Sequence, residues 1–121
     1  MPKHTFDHIH LSSPDPVKTA EFYKKHFGAK QMNDPDPAAE RFTVNLDMDG
    51  VTILVSRGRE GAPAGLVHFG IRSDDLDKSI TDLKADGVEF TTEKTEVRPD
   101  FTISFFNAPD DVSIELQHGS L

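Results

Sequence analysis

The chain has no cysteine, no tryptophan and a single tyrosine, and no apolar run approaches the ~20 residues of a membrane span. Without cysteine there are no disulfides, no thiolate metal ligands and no cysteine nucleophile, so any bound metal must be held by histidine and carboxylate. The N-terminus shows no apolar core or cleavage site of a signal peptide, and a cytoplasmic location is expected. Positive charge is also scarce: 13 basic against 21 acidic residues leave a formal charge of −8, spread along the chain, which argues against nucleic acid as partner, and no membrane partner is expected. What the chain does have is nine phenylalanines and 36% hydrophobic residues in 121 positions. That is enough for one compact domain burying roughly two-thirds of its unfolded surface.

Residues 6–12, FDHIHLS, alternate as a strand, and Ser13-Pro14-Asp15-Pro16 then breaks it and supplies caps for a helix over 16–26. The helix carries Val17, Ala20, Phe22 or Tyr23, and Phe27 at helical spacing, and Gly28 stops it. A short strand over 29–32 precedes the loop Asn33-Asp34-Pro35-Asp36-Pro37. Strands over 42–46 and 51–56 then flank Asp49-Gly50, a hairpin signal. The second half repeats the order: a strand over 66–72, a helix over 76–85 with Leu76, Ile80 and Leu83 on one face, and strands over 88–92, 101–106 and 112–116. His8 falls on His68, Gly28 on Gly87 and Val51-Thr52-Ile53 on Val112-Ser113-Ile114 at nearly constant offset. The expectation is an α+β protein of two tandem βαβββ modules, residues 5–57 and 66–118, joined by a linker over 58–65. The modules would share a U-shaped mixed sheet around a cavity, with the helices outside.

The repeat directs attention to three residues. His8 and His68 occupy the same place in the two first strands. Glu115 stands in the middle of Val-Ser-Ile-Glu-Leu, where a carboxylate is costly unless paired, protonated or bound to a metal. Taken singly, each histidine is better explained as a surface or hydrogen-bonded residue, and Glu115 as an edge residue facing water. Together they make a two-histidine, one-carboxylate set, which leaves coordination positions open and accepts Fe, Mn, Ni, Co or Zn. His10 lies two residues beyond His8 and so on the same strand face, about 7 Å further along. A neutral imidazole there would take or relay a proton, or else bond to a neighbouring hydroxyl or backbone group. Phe42 and either Phe105 or Phe106 are candidate cavity walls, the latter choice depending on a one-residue register. Arg98, like Arg41 and Arg57, stands at a loop or strand end where it meets either an anionic substrate or water.

The paired modules, the opening "DHIHL…SPDP…AEFYKKHFGA", the "GLVHFGI…DDLDKSITDLKADGVEF" stretch and the closing "FNAPDDVSIELQ" resemble the vicinal oxygen chelate superfamily over nearly the whole chain. That superfamily includes glyoxalase I, methylmalonyl-CoA epimerase, extradiol dioxygenases, and fosfomycin and bleomycin resistance proteins. The resemblance implies one divalent metal on His8, His68 and Glu115, a small-molecule substrate that chelates it through adjacent oxygens, and a homodimer. It puts Leu54, which cannot ligate, at the fourth ligand position. The activity implied is a glyoxalase or epimerase type of proton transfer through an enolate or enediolate; beside it, His10, a departure from the family pattern, and Glu115 are expected as catalytic residues, with Phe42, Phe105 and Arg98 toward substrate. The alternatives implied are an Fe(II) extradiol-type dioxygenase and a binding or resistance protein without turnover.

Overall fold

The computed structural model describes residues 1–120. In chain order the elements are β1 (His4–Ser13), α1 (Pro16–Phe27), β2 (Lys30–Gln31), β3 (Thr43–Met48), β4 (Val51–Arg57), β5 (Gly65–Ser73), α2 (Leu76–Ala85), β6 (Phe90–Arg98), β7 (Phe101–Ala108) and β8 (Val112–His118). This is βαβββ twice, an α+β protein as expected. Two compact units can be distinguished. One, called module one below, comprises residues 8–67; the other, module two, combines residues 1–7 with the stretch from His68 onward. No helix among the described residues is long and apolar enough to cross a membrane.

In module one the strand order is β2-β3-β4-β1. The β3–β4 hairpin turns at Asp49 and Gly50, with φ of 52° and 85°, the left-handed pair that a tight hairpin matching strand twist requires. Parallel pairing of β1 with β4 needs a crossover, and α1 lies within it. The Asp15 side chain caps α1 by accepting from Lys18 N at 3.1 Å, and Gly28 ends the helix at φ 72°. Ala20 and Tyr23 pack on Val44, Leu46, Ile53 and Val55. Val17 and Phe27, expected on the same stripe, are exposed. Phe27 instead covers Phe22 and Tyr23 in a ring cluster on the outside of the helix.

Module two has the order β5-β8-β7-β6, with β5 and β8 parallel and β7 antiparallel to both of its neighbours. Asp75 caps α2 through Lys78 N at 3.1 Å. Leu76, Ile80 and Leu83 pack on Phe106, Ile114 and Leu116, the helix face read from the sequence. Strand β6 runs to Arg98, well past the expected end near residue 92. Its segment TTEKTEVR is exposed along its length and alternates no apolar residues. It is held by backbone pairing to β7 through several register shifts, which leave no hydrophobic period to read.

Candidate metal centre

Each module presents one sheet face to its helix and a second face away from it, and strand alternation assigns residues to one or the other. In module one, Val44, Leu46, Ile53 and Val55 take the helix face. The ladder pairs His8 with Thr52, His10 with Leu54, and Ser56 with both Ser12 and Thr43. These residues form the opposite face. His8 is only 3% exposed, so it is not the surface histidine that its isolated position suggested. His10 Nε2 shares a hydrogen bond of 2.7 Å with Ser56 Oγ, which shares a second of 2.9 Å with Thr43 Oγ1. Direction along this chain follows the histidine tautomer. Leu54 is buried yet absent from the helix-side cluster, which agrees with its place on the His8 face.

In module two the corresponding face carries His68 and Glu115, both buried, with His68 Nε2 3.7 Å from Glu115 Oε1. That separation is too long for a hydrogen bond. It suits two ligands of a shared cation, which at about 2.1 Å each lie no more than about 4.2 Å apart. Register settles the phenylalanine choice: Phe105 pairs with Glu115, while Phe106 pairs with Ile114 and enters the helix-side core. The Phe105 ring meets the His68 ring edge to face at 5.1 Å between centroids. Beyond Glu115, fully buried Gln117 donates from Nε2 to Asp7 Oδ2 at 3.1 Å and to the Gly119 carbonyl at 2.9 Å. Asp7 also pairs with Arg72 at 3.1 Å.

Two residues expected toward substrate make other contacts. Phe42 shares the parity of Val44 and Leu46, is buried in the helix-side core of module one and lies under the Arg57 guanidinium at 4.9 Å, so it does not wall a cavity on the His8 face. Arg98 donates to the Ser120 carbonyl at 2.9 Å and covers the Phe101 ring at 4.8 Å. Its guanidinium thereby ties the end of β6 to the C-terminal segment. Ser56 and Thr43 were not singled out from the sequence. Only the β1–β4–β3 register puts them beside His10.

The sequence matches the Glyoxalase/Bleomycin resistance protein/Dioxygenase superfamily over residues 5–116, and the chain belongs to that superfamily. No curated protein matches it closely enough in sequence to be counted. Among solved structures, a hypothetical protein from Bacillus halodurans C-125 superposes with a TM-score of 0.79 at 18% identity, covering 98% of this chain and 96% of that one. Methylmalonyl-CoA epimerase from Mycobacterium tuberculosis gives a TM-score of 0.74 at 20% identity, covering 96% and 88%. A Streptomyces coelicolor methylmalonyl-CoA epimerase variant in complex with 2-nitronate-propionyl-CoA gives 0.73 at 20% identity, covering 96% and 94%. Likeness at this level of identity establishes a shared fold.

Proposed function

We propose that this chain is a divalent-metal-dependent isomerase of the epimerase or glyoxalase type, acting on a small substrate with adjacent oxygens. In this reading His8, His68 and Glu115 hold one Fe, Mn, Ni, Co or Zn ion. The observation that carries it is the buried His68–Glu115 pair at 3.7 Å, on the sheet face turned away from the core. A buried carboxylate is costly unless its charge is compensated, and a cation shared with His68 would compensate it. When bound, the cation would supply charge stabilisation of an enolate or enediolate.

The protein's own groups do the rest. The Ser56 hydroxyl orients His10, which takes the proton from the carbon beside the carbonyl and delivers it to the neighbouring carbon, the one-base route of a glyoxalase type. Phe105 packs against the edge of His68, fixing that ring and keeping water from one side of it. A homodimer in the cytoplasm belongs to the same reading, on family grounds.

Deuterium wash-in tests the reaction. Metal-loaded protein in D2O, given methylmalonyl-CoA and a panel of small hydroxyketones, is expected to exchange the hydrogen beside the carbonyl of at least one of them. The His10→Ala variant is expected to lose that exchange while keeping its metal. Absence of exchange throughout, with O2 consumed on a vicinal diol by the iron form, would contradict the isomerase reading in favour of a dioxygenase.

A further inference from the structure

One carboxylate in module two collects contacts from several strands. Asp7 Oδ2 accepts from Gln117 Nε2 on β8 at 3.1 Å. Asp7 Oδ1 pairs with the Arg72 guanidinium on β5 at 3.1 Å and accepts from the Ser120 hydroxyl. Asp7 itself immediately precedes His8 on β1, Gln117 follows Glu115 by two residues, and Arg72 follows His68 by four. Each proposed ligand thus has a member of one polar cluster on its own strand. In module two the cluster also shares a face with the ligands. Strand alternation puts His68, Gly70 and Arg72 on one side of β5, and the ladder sets Gly70 opposite Glu115 and Arg72 opposite Gln117.

Neither the repeat nor stability accounts for this cluster. At the offsets that align His8 with His68 and Val51 with Val112, Asp7 falls on Val67, Ser12 on Arg72 and Ser56 on Gln117. The repeat therefore supplies no second copy of the carboxylate, the guanidinium or the amide, and the βαβββ sheet forms without them. Gln117 is fully buried, and its Nε2 protons go to Asp7 and to the Gly119 carbonyl. Its Oε1 is buried with no hydrogen-bond partner among the described residues. A buried acceptor left unmatched costs stability, which an apolar side chain at this position would avoid. What glutamine supplies in return is the link from β8 to Asp7.

We infer that Asp7 is a positioning residue of the metal centre: through Gln117 and Arg72 it fixes how β8 and β5 present Glu115 and His68 beside the residue that leads into His8. It is not itself one of the ligand set. This rests on the proposed metal-dependent reading. The test measures manganese affinity by competitive chelator titration, the electron paramagnetic resonance spectrum of the bound ion, and urea stability. Wild type is compared with Asp7→Ala, Gln117→Leu and a control, Ile80→Ala, which thins the α2 core away from the cluster. Asp7→Ala and Gln117→Leu are each expected to weaken manganese about tenfold and to broaden its spectrum, as loss of support behind metal ligands does. Gln117→Leu is expected to do so without losing stability, and it decides alone if Asp7→Ala does not fold. Ile80→Ala is expected to lose stability and keep wild-type affinity. Wild-type affinity in both cluster variants, or an equal loss of affinity in Ile80→Ala, overturns the positioning role and leaves the metal centre standing. A wild-type protein that holds no manganese overturns the metal centre and this inference with it.

Discussion

Replacement of Glu115 by leucine separates a metal ligand from a structural carboxylate. Module one already contains the substituted arrangement: Leu54 occupies the register equivalent to Glu115 and is buried to a similar degree, 4% exposed against 8%. The sheet therefore accepts leucine at this position. In metal-free protein, Glu115→Leu removes a desolvated carboxylate beside a histidine, and exchange of such a group for a packed apolar one is neutral or stabilising by about 1–3 kcal/mol. With a cation present the order reverses. At about 100 times its dissociation constant, the cation stabilises the wild type by about 2.7 kcal/mol and the variant not at all. Urea denaturation followed by circular dichroism, with chelator and then with excess manganese, measures both differences. A loss of more than about 2 kcal/mol in the metal-free variant would show that Glu115 serves protein partners, and equal stabilisation of both proteins by manganese would remove it from the ligand set.

Leu54→Glu is expected to add a fourth ligand, tightening manganese binding at least tenfold by competitive chelator titration; a variant that only loses stability would mean that Leu54 does not face the cation. Phe106→Ala, within the α2 core, is expected to lose about 3–5 kcal/mol in denaturant unfolding. Phe105→Ala is expected to lose less while weakening metal binding, and the opposite ranking would reverse the register assigned to β7. Gly119→Ala is expected to destabilise by about 2 kcal/mol or more: φ there is 76°, and an added Cβ would meet the Asp100 carbonyl oxygen at 2.0 Å. A thermal midpoint unchanged by that substitution would mean the C-terminal turn adjusts freely.

Legibility in the sequence followed the local signals. Strand β1, both helices and the β3–β4 hairpin could be read because Asp15, Asp75, Gly28 and Asp49-Gly50 punctuate clear apolar periods. The buried histidines were found through the repeat, which puts His8 on His68 although neither is informative alone. The side on which Phe42 packs was legible too: positions 42, 44 and 46 share one strand face, and Val44 and Leu46 mark it as the helix side. Most of β6 carried no such signal, because both of its faces meet solvent. The Ser56 contacts with His10 and Thr43 join residues 46 and 13 positions apart, so they depend on strand order and register, which local pattern does not encode.

Metal stoichiometry of purified protein tests the central claim most directly, by elemental analysis after anaerobic loading with Fe, Mn, Ni and Zn in turn, beside His8→Ala and His68→Ala. About one metal per chain in the wild type, and little in either variant, is the predicted result. The absence of stoichiometric metal under every loading condition, or wild-type content in both variants, would contradict it and leave the histidines as structural residues.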